Sequence, residues 1–79
     1  ATDPRAFMRR GQCFFEEKKY QLAEADFTAA IQYDPNNAAA YLSRGITRAK
    51  LNNHPKAIED FQKAINMDAK LSDAYRGLG

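Results

Sequence analysis

The sequence predicts an all-α fold built from tandem antiparallel helix-turn-helix repeats, and two observations support this. The 79-residue chain matches a copy of itself that is shifted along the sequence so that position 10 aligns with position 44. A fixed period of this length is typical of helical-repeat arrays. Apolar residues recur with helical spacing, whereas no segment alternates with period two over a useful length. Strands are therefore not expected, and each unit should contain two helices.

The positions that recur with this period are mostly small, aromatic or charged. In the first copy they are Ala6, Arg10, Gly11, Ala23, Asp26, Phe27, Ala30, Ile31 and Asp34. In the second copy they are Ala40, Arg44, Gly45, Ala57, Asp60, Phe61, Ala64, Ile65 and Asp68, and a third copy begins with Ala74, Tyr75 and Gly79. We therefore expect a lead-in and cap over 1–3, repeat 1 over 4–37, repeat 2 over 38–71, and the start of a third repeat over 72–79. The chain reads as a fragment of a longer protein.

The first helix has a clear start signal in the sequence. Asp3 can cap the helix, and Pro4 suits the first turn because the backbone N–H that it lacks has no helical partner there. Apolar residues then follow at helical spacing as far as Phe15. The density of helix-forming residues falls near Lys18-Lys19, where the helix should end.

Three further helices follow by the same reasoning. A second apolar stripe runs over 22–31, and the segment 34–37, Asp-Pro-Asn-Asn, ends that helix and supplies a cap for the next. The third helix should run from 38 to about 51, and 52–55 should form a break. The fourth helix should then continue to about Met67.

A glycine recurs inside the first helix of each unit. Gly11 and Gly45 each cost their helix roughly 1 kcal/mol relative to alanine. We expect the compensation to be close approach of the neighbouring helix, with Phe27 and Phe61 filling the remaining space. These glycines could instead be hinges or points of ligand approach, but their match to the period favours packing.

An arginine precedes each of these glycines, and each arginine lies sixteen residues before an aspartate: Arg10 before Asp26, and Arg44 before Asp60. We expect each guanidinium to lie along the helix interface and to give a repeat aspartate two parallel hydrogen bonds. The aspartate could belong to the same unit or to the preceding one, in which case Asp26 would meet Arg44. The alternative is that these arginines bind an acidic ligand.

The 34-residue period and its spaced small and aromatic residues resemble the tetratricopeptide repeat (TPR) family. The residues that match the family pattern are Gly11, Ala23, Phe27, Ala30, Pro35, Gly45, Ala57, Phe61 and Ala64. The sequence also departs from it: Ala69 replaces a frequent proline, Arg10 and Arg44 stand where leucine is usual, and Arg48 replaces an aromatic that Phe14 supplies in the first unit.

The resemblance implies a right-handed α-superhelix, or solenoid, whose first helices line a concave face. It also implies a non-catalytic scaffold or adaptor that binds a partner peptide or helix there. By residue-to-residue correspondence, the partner-binding residues would be Arg5, Met8, Arg9, Gln12, Phe15, Leu42, Ile46 and Lys50. The apolar members would form a strip with a basic rim, although some of them, Phe15 and Ile46 above all, could instead be core residues.

Some members of the family bind the C-terminal carboxylate of chaperone tails with a clamp of basic and amide side chains. The matching positions here hold Met8, Gln12, Ser43, Asp73 and Gly77. Because none of them is lysine or arginine, we expect this segment to lack that clamp.

The composition gives little support to catalysis, metal binding or membrane insertion. The chain has one cysteine and one histidine, too few for a zinc site. We expect Cys13 to be a small packing residue and His54 a turn residue, and we expect no enzyme activity and no cofactor. No apolar stretch approaches the roughly 18 residues of a membrane span, and no disulfide is possible within the chain, so a cytoplasmic location is expected.

Two other functions stay open at this stage. The uncapped repeat end could stack on another copy of the chain and make a homo-oligomer. Weak RNA binding is the other, although the net charge of +2 makes nucleic acid an improbable partner. The basic residues that could serve RNA are Arg5, Arg9, Arg10, Arg44, Arg48 and Lys50.

Overall fold

The computed structural model of the chain describes residues 3–67, which form four α-helices. These are α1 (Pro4–Glu16), α2 (Tyr20–Tyr33), α3 (Ala38–Lys50) and α4 (His54–Met67). Within this described part every regular element is helical, and the all-α prediction is confirmed. The expected third copy, with Ala74, Tyr75 and Gly79, lies outside the described residues, as do Asp68, Ala69, Asp73 and Gly77.

The helix boundaries differ from expectation by one or two residues at four places, the first being the end of α1 at Glu16, before Lys18-Lys19. The helix α2 begins at Tyr20, before its apolar stripe, and α3 ends at Lys50. The helix α4 begins at His54, so the predicted break is shorter than four residues. Pro55 does not prevent this start, because a proline in the first turn of a helix removes an N–H that has no intrahelical partner.

The helices pack in chain order as two helical hairpins. The helix α1 packs along α2, and α3 packs along α4; we refer to these pairs as the first and second hairpins. The hairpins are joined by packing of α2 on α3, while α1 and α3 touch only slightly. This places α1 and α3 on one side of the molecule, as tandem repeats require, whereas the superhelical twist of a longer array stays a prediction.

Two capping residues fix the starts of α1 and α3. The Asp3 carboxylate accepts a hydrogen bond from the backbone N–H of Arg5 at 2.9 Å, and Pro4 occupies the first turn. The side chain of Asn37 accepts from the backbone N–H of Ala40 at 3.2 Å. Hydrogen bonds from the side chain and backbone of Arg5 lower the pKa of Asp3, so the cap stays charged under ordinary conditions.

The turns inside the two hairpins share one backbone geometry. Lys18 and Asn52, which occupy the same position in successive repeats, both adopt the left-handed conformation, with φ of 65° and 63°. The next residue in each turn donates its N–H to a carbonyl five residues back at 2.8 Å, Lys19 to Phe14 and Asn53 to Arg48. This pattern closes the helix in a Schellman motif, so the repeat extends to the hydrogen bonds of the turns.

Small residues bring the paired helices close together. A Cβ added at Gly11 would lie 2.7 Å from Cε1 of Phe27, and one added at Gly45 would lie 2.8 Å from Cε1 of Phe61. The ring of Phe27 is buried, so it has little room to move away. The buried alanines of the described chain are Ala23, Ala30, Ala40, Ala57 and Ala64, while Pro35 is exposed in the turn after α2.

Candidate protein-binding groove

Each arginine of the repeat binds the aspartate of its own hairpin through two hydrogen bonds. Arg10 donates from Nε and Nη2 to Asp26 at 2.8 and 2.7 Å. Arg44 donates in the same way to Asp60 at 3.0 and 2.8 Å. The expected pairing therefore forms within each hairpin, and the alternative pairing of Asp26 with Arg44 does not occur. Hydrogen bonding to Asp26 raises the pKa of Arg10.

A further arginine connects the hairpins, and the sequence reasoning did not identify this role. Arg48 donates to Glu24 of α2 at 2.7 Å and to Asp60 at 2.9 Å. Arg44 also reaches across, donating from Nη1 to the hydroxyl of Thr28 at 3.3 Å. One feature of the sequence indicates this role: Arg48 stands where an aromatic residue is usual, and a buried guanidinium needs carboxylate partners.

These ion pairs reduce the number of basic side chains that are available to bind RNA. Arg5 pairs with Asp3, and the side chains of Arg10, Arg44 and Arg48 are held by carboxylates as described above. Of the six basic candidates, only Arg9 and Lys50 are both exposed and outside any ion pair within residues 3–67. RNA binding stays a prediction, with few charges left to support it.

Three of the expected partner-binding residues line one small hollow between α1 and α3. Gln12 and Phe15 line it from α1, Ile46 and neighbouring Ser43 line it from α3, and the ring of Phe27 lies between them. Its volume is about 90 Å³. Phe15 is also held by an edge-to-face contact with Tyr20, with ring centroids 5.3 Å apart. This hollow is the candidate binding site.

Met8 and Leu42 lie elsewhere, so the apolar strip expected from the sequence is divided. Both are half-buried and pack against a core cluster that includes Ile31 and Tyr41. They therefore contribute to the junction of the hairpins rather than to the hollow. The helical spacing places them on the same side as Phe15 and Ile46, but they pack against this cluster and do not line the hollow.

Charged side chains also lie along α1 and α3. Arg9 and Lys50 are exposed, and Arg5 is exposed while it remains paired with Asp3 at 3.1 Å. Glu16 is exposed at the end of α1. Three of these four exposed side chains are basic and one is acidic.

The lone cysteine is a correction to the sequence reasoning. Cys13 is exposed on α1 and is not a packing residue. Its counterpart in the second repeat, Thr47, is fully buried and donates its hydroxyl proton to the backbone carbonyl of Ser43 at 2.8 Å. The difference arises because α2 covers this face of α3, whereas no described helix covers the same face of α1.

Metal clusters and membrane-spanning helices are absent from the described part of the chain. Over residues 3–67 no group of three or more histidine, cysteine, aspartate or glutamate side chains could hold a metal ion. In the same part of the chain no helix is both long and apolar enough to cross a membrane. His54 is exposed at the start of α4, away from the hollow.

The paired hairpins define a helical-repeat protein, and comparison with known proteins gives its family. The tetratricopeptide repeat family matches residues 4–37 and, in a second profile, residues 27–59. The chain therefore belongs to the tetratricopeptide repeat family, as the sequence analysis predicted.

The curated relatives are longer proteins that contain similar segments. Hsp70-Hsp90 organizing protein 3 of Arabidopsis thaliana is 33% identical over 70 residues, which is 89% of this chain and 12% of that protein. RNA polymerase II-associated protein 3 of Xenopus tropicalis is 38% identical over 87% of this chain and 10% of that protein. Human DnaJ homolog subfamily C member 7 is 38% identical over 82% of this chain and 14% of that protein. The chain thus spans about a tenth of these relatives' length.

Proposed function

We propose that this chain is a non-catalytic protein-interaction module that binds a partner peptide or helix on the concave side of α1 and α3. The observation that carries the proposal is the hollow between the two helices, where Phe15 and Ile46 stand beside Gln12 and Ser43. Apolar walls with a few polar groups are typical of sites that recognise a peptide side chain. Membership of the family supports this function, and a scaffold or adaptor role follows from it.

The size of the hollow limits what it can hold. At about 90 Å³ it is well below the roughly 300 Å³ of a small-molecule pocket. It therefore suits one apolar side chain of a longer ligand. Gln12 and Ser43, which line the hollow, offer polar groups for the ligand backbone beside that side chain. Exposed Arg9 and Lys50 favour acidic residues farther along it.

A displayed library of random peptides tests this proposal. Peptides selected on the full chain should carry an apolar anchor with acidic neighbours. Ile46→Glu should weaken their binding by roughly tenfold or more, because a carboxylate would be buried among apolar walls. Fluorescence anisotropy with labelled peptides measures the affinity, and circular dichroism checks that the variant keeps its helices.

The matched control is Leu22→Glu, which places the same charge at a half-exposed leucine on α2, outside the hollow. This variant should bind the selected peptides as the parent chain does. If Ile46→Glu left every selected peptide bound with unchanged affinity, the binding surface would lie elsewhere and the proposal would be wrong.

The absence of a carboxylate clamp is also part of the proposal. Gln12 and Ser43, at two of the clamp positions, line the hollow without a basic side chain among its lining residues. A peptide with a free C-terminal carboxylate and its amidated form should therefore bind equally. A strong preference for the free carboxylate would contradict this. The lone exposed cysteine suits a reducing compartment, so we include a cytoplasmic location in the proposal.

A further inference from the structure

The two walls of the hollow belong to different hairpins. Phe15 lies on α1 of the first hairpin and Ile46 on α3 of the second, while the ring of Phe27 from α2 lies between them. Because α1 and α3 touch only slightly, neither wall holds the other in place. The width of the hollow therefore depends on how the second hairpin is held against α2.

The contact of α2 with α3 changes from apolar to polar along its length. At one end, Ile31 of α2 belongs to the same buried cluster as Ala40 and Tyr41 of α3. About two turns earlier on α2, Glu24 accepts a hydrogen bond from Arg48 of α3 at 2.7 Å. The two helices thus run antiparallel, with close packing at one end and a hydrogen bond between charged side chains at the other.

The hollow lies at the polar end of this contact. Ile46 is two residues before Arg48 on α3, and Phe27 is three residues after Glu24 on α2. If the polar contact were lost, the apolar cluster at the far end would still join the hairpins and would act as a pivot. The wall that contains Ile46 would then be able to move away from α2.

A single ion pair joins the two hairpins within residues 3–67, that of Glu24 with Arg48. The other ion pairs of this part of the chain form inside one hairpin or its cap. The side chain of Glu24 is 29% exposed and that of Arg48 is 15% exposed, so water screens their attraction only in part. A longer hydrogen bond, from Arg44 to Thr28 at 3.3 Å, lies one turn away.

Arg48 is suited to this connection because it is anchored in its own hairpin. Its Nη1 donates to Asp60 at 2.9 Å while its Nε donates to Glu24. Asp60 is 3% exposed and also accepts from Arg44. A planar guanidinium can bind two carboxylates at fixed angles, so Glu24 is linked to a buried group and not to a side chain that moves freely.

We propose that Glu24 and Arg48 are positioning residues for the groove, whose ion pair holds the second hairpin at the angle that gives the hollow its binding width. Neither side chain lines the hollow, so they act on a ligand only through the position of α3. The effect on binding rests on the proposed function, whereas the effect on the angle between the hairpins does not.

The angle between the hairpins can be measured without a ligand. Cys13, the one cysteine of the chain, is exposed on α1, and Glu59→Cys adds a second cysteine at an exposed position on α4. Spin labels at these two sites report the distance between the hairpins by pulsed electron paramagnetic resonance. In this labelled chain, Glu24→Ala should broaden the distance distribution, because the polar end is no longer held.

Two further variants separate this role from a general loss of stability. Glu24→Gln keeps an oxygen that can accept from Arg48 but loses the charge, so it should broaden the distribution less than Glu24→Ala does. The matched control is Glu17→Ala, which removes an exposed ion pair with Lys19 inside the first hairpin. It should leave the distribution unchanged. Circular dichroism verifies that each variant keeps its helices.

The peptides selected on the parent chain provide the second readout. Glu24→Ala should bind them roughly fivefold more weakly, because the apparent affinity falls with the fraction of molecules that have the binding geometry. Glu24→Gln should lie between this variant and the parent, and Glu17→Ala should bind as the parent does. Saturating peptide should narrow the distance distribution of Glu24→Ala again, since the ligand favours the geometry that it binds.

An unchanged distance distribution in Glu24→Ala would overturn the inference, as would a broadened distribution with peptide affinity equal to that of the parent chain. Failure of the proposed function gives a different result, namely peptides whose binding does not respond to Ile46→Glu. In that case the distance distribution, which needs no ligand, would still decide whether the ion pair of Glu24 with Arg48 holds the hairpins.

Discussion

At the scale of single residues, Gly11 and Gly45 determine how closely the helices of a hairpin approach. Replacing Gly11 by alanine gains about 1 kcal/mol of helix propensity, but the new Cβ would lie 2.7 Å from the Phe27 ring. The buried ring cannot turn away without disturbing the core, and such overpacking costs about 1–3 kcal/mol. We expect a net loss of up to about 2 kcal/mol in the free energy of unfolding, measured by urea denaturation.

A double-mutant cycle separates the overlap from other effects of Gly11→Ala. Phe27→Leu removes part of the ring that the Cβ would meet, and it is destabilising by itself because it leaves a cavity. The combined variant should be less destabilised than the sum of the two single changes. Simple additivity, with no coupling between the two sites, would contradict the proposed overlap.

Lys18 is a second residue at which the local backbone predicts a measurable effect. Its φ of 65° lies in the left-handed region, which costs a side chain other than glycine about 1–2 kcal/mol. Lys18→Gly removes that cost, but part of the gain is offset because glycine gives the unfolded chain more conformational freedom. We expect a net stabilisation of about 0.5 kcal/mol, measured by thermal and urea unfolding.

The counterpart of Lys18 in the second hairpin gives the matched comparison. Asn52 has nearly the same φ, 63°, but asparagine tolerates this conformation better than lysine. Asn52→Gly should therefore change the stability less than Lys18→Gly, and Lys18→Ala should not stabilise at all. An equal gain from all three substitutions would mean that lost side-chain contacts, not backbone strain, decide the outcome.

At the scale of the helices, Arg10 and Arg44 make the same two hydrogen bonds to an aspartate but differ in their exposure to solvent. Arg44 is 14% exposed and its partner Asp60 also receives Arg48, whereas Arg10 is 61% exposed. Arg44→Met keeps the apolar stem but removes one of the two guanidiniums on a buried carboxylate, at a cost of about 2–4 kcal/mol. Arg10→Met should cost less, about 1–2 kcal/mol, because Arg10 itself is in contact with water although its partner Asp26 is buried.

Denaturation at low and high salt distinguishes these two ion pairs further. The contribution of Arg10 should shrink at high ionic strength, because its pair with Asp26 is reached by solvent ions, while that of Arg44 should persist. Equal losses for the two methionine variants at low salt would contradict the argument. They would show that the contact of α2 with α3 does not protect the network of Arg44, Arg48 and Asp60.

At the scale of the whole molecule, the sequence predicted the features that depend on local signals or on the repeat along the chain. The caps at Asp3 and Asn37 and the four helices follow from local signals, and pairing of Arg10 with Asp26 followed from recurrence of both residues. Exposure of Cys13 could not be predicted in this way, because its helical position is the same as that of buried Thr47. It depends on whether another helix covers the face.

The same limit applies to the candidate groove. Met8, Phe15, Leu42 and Ile46 share one side of their helices in the sequence pattern, but only Phe15 and Ile46 line the hollow. Met8 and Leu42 instead pack against the core cluster, whose members come from α2, α3 and α4. The spacing of apolar residues within one helix does not show which neighbouring side chains they will contact.

The order of packing predicts how stability is distributed over the chain. The helices α2 and α3 each pack against two neighbours, whereas α1 packs mainly on α2 and only touches α3. In a linear array, stability is approximately the sum of units and nearest-neighbour contacts, so α1 should open more often than the central helices. Native-state hydrogen exchange should show slower exchange for α2 and α3 amides than for equivalent α1 amides, such as those flanking Gly45 against those flanking Gly11. Protection of α1 equal to that of α3 would contradict the nearest-neighbour argument.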